Sequence, residues 1–301
     1  MTLKQLEAFY WAAMLGTFAI AAERLHVTQS SLSKRIAELE ADLDVVLFNR
    51  SGQRAKLTDA GEALLPKVSD ILELEEQIRQ RNGIPQDVQG ACRVGISELS
   101  ATTWFPHLVR RLRDEHPLIE LKPTVGLGKE LERKVERGEL DCAVVTGGPS
   151  VANLQAWPVD EVAFAWMAAP SRLRKGTLID AELLRDHPVI SPTSDSGLSN
   201  AVQAWASTLG PVEFDTVPCN SLNAILGMTV AGVGVSFLPA KYVEPLVRRK
   251  MLVSLRSEPP APSLSYQFVA RRDDSRRLVA VIRDLVIEEA DFTAGNPLWV
   301  A

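Results

Sequence analysis

The chain has 301 residues, enough for a small domain joined to a larger one. Hydrophobic residues make up 46% and charged residues 24%, as in a globular protein with a real core. A formal net charge of -5 excludes a generic polyanion binder, so any nucleic-acid surface has to be local.

The first ~90 residues read as nearly all helix, by apolar periodicity. Thr2 and Gln5 form a capping box for a first helix, with Leu3, Leu6, Phe9, Tyr10 and Ala13 at helical spacing and Gly16 ending it. Thr17 caps a second helix, Phe18 to Leu25. A turn at His26 and Val27 follows, and Thr28 caps a third helix with a buried stripe of Leu32, Ile36 and Leu39. Helix, tight turn and helix over residues 18–36 is the geometry that puts a recognition helix in a major groove. Ala22, His26 and Leu32 supply the small, turn and apolar positions it needs.

The outward face of the third helix then carries Gln29, Ser30, Ser33 and Lys34. Gln pairs bidentately with adenine and Lys contacts guanine. Thr28, Ser30 and Ser33 suit phosphates or base edges, and the helix start adds partial positive charge. Asn49 to Lys56 reads as a Gly-containing basic hairpin, a wing along the DNA backbone with Arg50, Arg54 and Lys56 as its cations. Between Arg24 and Lys56 stand six bases, Lys34 and Arg35 among them, against four acids, Glu38, Glu40, Asp42 and Asp44, at the far end of the helix. A three-helix core with a wing also serves as a protein-interaction module, and that reading stays open on these features.

A linker helix is expected from Thr58 to about Arg81. Leu57, Leu64, Val68, Ile71 and Ile78 fall near a 3.5-residue period, which favours packing on another helix. Pro66 removes one backbone hydrogen bond inside it. Past Gly83, Pro85 and Gly90 the pattern changes to short β-branched runs alternating with helical ones, which marks a domain boundary.

That second region reads strand 92–96, helix 102–115, strand 119–125, helix 129–137 and strand 141–145, an order that implies a parallel sheet with right-handed crossovers. Further α/β segments are expected at 162–168, 189–190, 199–208, 217–219, 222–231 and 233–237, then a strand at 264–270 and a helix at 276–291. In open α/β sheets ligands bind beyond the carboxyl ends of strands. That rule selects Ser97, Glu98, Ser100 and Thr102 after the first strand and Thr146 after the third. In the later region it selects Thr193, Ser194, Asn220 and Phe237. Hydroxyls and amides at helix starts suit a small carboxylate or other polar metabolite, and the same residues also make ordinary helix caps. Glu98 is odd beside an anion site. It either faces solvent or favours a ligand carrying an amine or many hydroxyls.

No catalytic constellation is found. Gly234-Val235-Ser236-Phe237-Leu238 lacks the second glycine of a nucleophile elbow, and Gly232-Val233-Gly234 lacks the third of a dinucleotide fingerprint. His26, His107, His116 and His187 show no metal spacing, so neither enzyme activity, metal nor cofactor is expected. Cys92, Cys142 and Cys219 read as small buried hydrophobes of a reducing compartment. No apolar stretch reaches the ~18 residues of a membrane span and the first residues do not read as a secretion signal, so a cytoplasmic location is expected.

Residues 21–40, from Ala21-Ala22-Glu23-Arg24-Leu25 to Leu39-Glu40, resemble the LysR-type transcriptional regulator family. The likeness continues in Leu47-Phe48-Asn49-Arg50 and Leu57-Thr58-Asp59-Ala60-Gly61. It is strong over about residues 1–65. The remainder matches in layout, with Gly138 to Asp141 and Gly232 to Pro239 as weaker motifs. The resemblance implies an α/β protein overall: a winged helix-turn-helix at 1–57, a dimerising linker helix and hinge at 58–89, and an effector-binding domain at 90–301. That domain resembles periplasmic binding proteins, with lobe one at 90–160 and 266–301 and lobe two at 161–265. The implied function is sequence-specific regulation of transcription by a homodimer or homotetramer on double-stranded operator DNA. A small-molecule effector between the lobes controls it, and RNA polymerase is a partner if the protein activates. The family often has glycine where Asp44 stands. A ligand-independent DNA-binding regulator, and a solute-binding or enzymatic domain with an N-terminal interaction module, are the alternatives.

Overall fold

A computed structural model describes residues 1–25, 27–49, 55–81, 88–193 and 196–294, with the backbone alone at 73 and 76–81. The chain clusters into two compact units, one essentially residues 1–87 and the other essentially 88–301.

The first unit opens with α1 (Leu3–Leu15). The Thr2 side chain accepts from the Gln5 N–H at 3.3 Å while Gln5 accepts from the Thr2 N–H at 2.7 Å, the reciprocal cap expected from this spacing. Gly16 ends it at φ 66°, a left-handed conformation that a Cβ disfavours. Next come α2 (Phe18–Arg24), capped by Thr17, and α3 (Gln29–Leu43), capped by Thr28. Ala22, Leu32, Ile36 and Leu39 are buried together with Phe9, Leu47 and Phe48. Asp44 ends α3 at φ 53°, ψ 39°, the conformation a glycine would take there, so the departure from the family's usual residue leaves the helix end intact. β1 (Phe48–Asn49) and β2 (Lys56–Leu57) pair antiparallel. Thr58 then accepts from the Gly61 N–H at 3.1 Å at the start of α4 (Asp59–Arg81), which carries Pro66. A Cβ on Gly61 would overlap the Leu47 carbonyl oxygen, so glycine is what lets α4 approach the wing base.

The stripe expected to serve helix pairing divides. Leu64 and Val68 pack into the unit's own core, whereas Ile71 and Leu74 are exposed. Ile78 lies outside the described side chains.

In the second unit β3 (Gly90–Ile96), α5 (Glu98–Thr102), α6 (Phe105–Glu115), β4 (Ile119–Val125), α7 (Gly128–Glu136) and β5 (Cys142–Thr146) follow the alternating order read from the sequence. β3 lies between β4 and β5 and is parallel to both. The helix expected at 102–115 is α6, which begins at Phe105; the short α5 before it is additional and ends where Thr102 and Thr103 turn their hydroxyls back onto carbonyls of its first turn.

β6 (Leu154–Ala168) is far longer than the expected strand at 162–168 and passes through Pro158. Beyond it come β7 (Leu178–Ile179), α8 (Ala181–Asp186), β8 (Val189–Ser191), α9 (Gly197–Ser207), β9 (Thr216–Pro218) and α10 (Leu222–Val230). β10 (Ser236–Pro239), α11 (Glu244–Arg248), β11 (Val253–Ser254), β12 (Arg256–Ser257), β13 (Ser263–Arg271) and α12 (Arg277–Glu289) complete the chain.

The principal sheet runs β10-β6-β13-β5-β3-β4, with β11 also on β6. β13 is antiparallel to β5 and to β6, so only the β4-β3-β5 part is parallel. β6 and β13 are shared by both lobes. At one end they complete the parallel sheet, and at the other β6 carries β10 and β11. Their register shifts between Tyr266 and Gln267, opposite Pro158 and Asp160.

Asp141 anchors lobe one. Its carboxylate accepts from the Arg93 N–H at 2.7 Å and pairs with Arg93 and Arg276, each at 3.1 Å. Cys92 and Cys142 are buried side by side, Sγ to Sγ 3.9 Å. The contact with Cys92 and burial both push the Cys142 thiol well above its ordinary value. Cys219 departs from expectation in being only half-buried.

Candidate functional site

The start of α3 presents its polar groups outward. Thr28, Gln29, Ser30 and Lys34 are exposed and Ser33 and Arg35 half-buried, while Leu32, Ile36 and Leu39 face inward. The Thr28 hydroxyl caps Ser31 at 3.2 Å and touches Ser30 at 3.0 Å, so it fixes the helix start as well as lying on its surface. Lys34 stands 4.0 Å from Glu38 with its side chain 78% exposed. Lys56 is exposed at the base of the wing. Arg50 and Arg54 lie outside the described residues. Arg24, counted among the basic residues, stacks on the Trp11 ring at 4.4 Å.

Glu40 is where the structure adds what sequence reasoning missed. It is buried, and its carboxylate accepts from the N–H groups of Leu47 and Phe48 at 2.7 and 3.2 Å. It ties the end of α3 to the first strand of the wing rather than contributing an acidic rim. Its i,i+4 place beside the buried Ile36 on an otherwise apolar flank was the available signal.

In the second unit a cavity of about 340 Å³ lies where the strands of lobe one end and lobe two begins. Lobe one contributes Ser97, Glu98 and Leu99 after β3, residues 125–128 after β4, and Val144 to Thr146 at the end of β5. Lobe two contributes Pro192, Ser196, Leu198, Asn220, Leu222 and Ile225. The shared strands add Phe164, Leu264 and Tyr266. The carboxyl-end rule therefore located Ser97, Glu98, Thr146 and Asn220. It missed the segment after β4, to which the same rule applies, and the shared strands, to which it does not.

Four expected ligand contacts fall elsewhere. Ser100 is fully buried beneath Ser97, 3.0 Å from its hydroxyl. Thr102 donates to the Glu98 carbonyl at 2.9 Å and to the Tyr242 hydroxyl at 3.1 Å. Thr193 donates to the Asn220 side-chain oxygen at 2.9 Å. Phe237 is packed against Phe164 and Trp166 in the core, ring centroids 5.3 and 5.4 Å away. None of the four lines the cavity. Ser194 lies outside the described residues.

Several contacts join the lobes across this cavity. Glu98 is half-buried and does not stand free. Its carboxylate accepts from the Leu222 N–H at 2.5 Å, the Asn223 N–H at 3.2 Å, the Asn223 side-chain amide at 2.9 Å and the Ser221 hydroxyl at 3.3 Å. An anion at the start of α10 also meets the positive end of its dipole. A Cβ on Gly197 would overlap Thr146 Oγ1, so α9 begins hard against the end of β5. Tyr266 is buried and hydrogen-bonded with Ser97, and burial raises its phenol well above the ordinary 10.0. Among the described residues no three-residue cluster of His, Cys, Asp or Glu could hold a metal, and no helix is long and apolar enough to cross a membrane.

Comparison with known proteins supplies the family. Residues 3–62 match the bacterial regulatory helix-turn-helix protein, lysR family, and residues 85–291 match the LysR substrate binding domain. YofA of Bacillus velezensis, an HTH-type transcriptional regulator, is 30% identical over 249 residues, covering 82% of this chain and 84% of its own. Full-length OxyR of Pseudomonas aeruginosa, at 25% identity, aligns over 98% of this chain and 99% of its own with TM-score 0.67. CbnR complexed with its target DNA shares the fold at 23% identity and TM-score 0.52, over 97% and 100% of the two chains. A wing, an outward polar helix and a two-lobed α/β domain thus occur together in a chain that belongs to the LysR family of effector-responsive, DNA-binding transcriptional regulators, a family of regulators rather than enzymes.

Proposed function

We propose that residues 1–57 read an operator through the first turns of α3. Gln29 and Lys34 address base edges there, and Thr28, Ser30, Ser33 and Arg35 address phosphates or base edges beside them. Arg50, Arg54 and Lys56 lie along the backbone as the wing. The observation that carries this reading is the face of α3 itself: its hydroxyl, amide and ammonium groups are exposed or half-buried while its apolar stripe is covered. CbnR, of the same fold, is solved on its target DNA.

Residues 58–89 join two copies, with Ile71 and Leu74 supplying an apolar surface on α4 that the unit's own core leaves uncovered. A homodimer, and a homotetramer of two such dimers, is the assembly. Residues 90–301 hold a small-molecule effector between lobe one (90–160 and 266–301) and lobe two (161–265), with Ser97, Thr146 and Asn220 on the cavity wall. The protein works in the cytoplasm, and RNA polymerase is its further partner where it activates.

Gln29→Ala tests the readout. Binding to the operator falls about tenfold while binding to random duplex stays within about twofold, because a bidentate base contact is worth ~1–3 kcal/mol of discrimination. Competition gel shifts at fixed salt measure both. Equal losses on the two duplexes refute base reading by this side chain.

A further inference from the structure

The cleft carries two carboxylates, Glu98 and Glu130, and both are engaged. Glu98 takes four donors at the start of α10. Glu130 pairs with Lys134 at 2.7 Å. Among the described residues that line the cavity there is no Lys, Arg or His. One helix start of lobe two that faces the cavity, where amides and a hydroxyl converge on the α10 dipole, already holds an anion belonging to lobe one.

The rest of the wall is mainly apolar. Leu127, Val144, Phe164, Leu198, Ile225 and Leu264 surround the cavity of about 340 Å³, a size that suits one small ring or branched chain. The polar groups among them are neutral: Ser97, Thr146, Ser196, Asn220 and Tyr266. Burial keeps Tyr266 in its protonated form. Among the described lining residues an incoming carboxylate would find no cation, and it would stand beside the Glu98 charge in a partly dry site.

We propose that Glu98 is a resident substitute for a ligand anion, and that the effector is therefore an uncharged, mainly apolar molecule with one or two neutral hydrogen-bonding groups. This deepens the reading of the cleft as the effector site and rests on it. Glu98 also makes this arrangement of the lobes self-sufficient. It bridges the lobes with a charge that never dissociates from the chain, so the ligand supplies volume and neutral hydrogen bonds rather than the bridging charge.

The test uses two probes of nearly equal shape, benzamide and benzoate, titrated calorimetrically into the full-length protein and into Glu98→Ala. The wild-type protein binds benzamide at least about tenfold more tightly than benzoate, and the Ala variant reverses or erases that preference by gaining benzoate affinity. Glu98→Gln retains an acceptor oxygen and the side-chain length. It keeps the fold if alanine does not, and it loosens the benzamide preference less. Benzoate binding to the wild-type protein as tightly as benzamide overturns the proposal, and so does a Glu98→Ala protein that gains no benzoate affinity. If the preferences come out as stated but neither probe alters the mobility of the protein–DNA complex, the chemistry of the cleft stands and its regulatory role falls.

Discussion

The first turns of α3 and the wall of the cleft use the same residue types to opposite ends. On α3, Gln29 and Lys34 project from a covered apolar stripe into solvent. In the cleft, Ser97 is bonded to Ser100, Glu98 to the start of α10, and Asn220 to Thr193 behind it. A polar side chain on a regular element with its neighbours buried beneath it is available to a partner. One held at the junction of two lobes is first of all a structural bond. The difference teaches that a polar residue's role depends on where its hydrogen-bonding capacity is already directed.

Substitutions can break that contrast, beginning with a buried carboxylate that holds two arginines. Asp141 is buried and receives donors from Arg93 and Arg276, so Asp141→Ala leaves two guanidinium groups without their shared partner. The effector unit should lose about 3–5 kcal/mol, read as a lower urea midpoint for its transition. A shift below about 1 kcal/mol would make this network ornamental.

Glu40→Ala comes next. Two buried N–H groups at the wing base lose their acceptor, and the DNA-binding unit should lose about 1–3 kcal/mol. Hydrogen exchange at Leu47 and Phe48 reports it directly, and unchanged protection there would detach Glu40 from the wing. Lys34→Ala is the smallest in stability, within about 0.5 kcal/mol. Its effect belongs to DNA, where the slope of log affinity against log salt should flatten by about 1. A large loss of stability with an unaltered slope would put Lys34 in the same class as Glu98 and end the contrast.

The same division explains what could be read from the chain alone. The caps at Thr2, Thr17, Thr28 and Thr58 and the stripe Leu32, Ile36, Leu39 are local patterns, fixed within four or so residues by helix geometry. They stand where the spacing puts them. The strands β3, β4 and β5 were legible for a like reason, since β-branched runs between turn residues speak for themselves. Glu98 finds its partners more than a hundred residues away, and no local pattern distinguishes it from a solvent-facing acid. Phe237 and Thr102 carried the same positional signal as Ser97, yet one fills the core and the other ends a helix. The length of β6 was hidden because Pro158, ordinarily a strand breaker, sits where the two shared strands change register and no ladder bond is demanded of it.

The pair of strands common to both lobes, β6 and β13, limits what the molecule can detect. Two ribbons crossing once leave the halves little freedom beyond a relative twist. A small molecule touching one half alone would have no unequal affinity for any relative twist of the halves and could not bias it, however tightly it sits. A compound large enough to span from the end of β5 to the start of α10 would touch both halves and so could favour one twist over another. Size thus filters signals before chemistry does, and a compound too short to touch both ends of the cleft should bind without being heard.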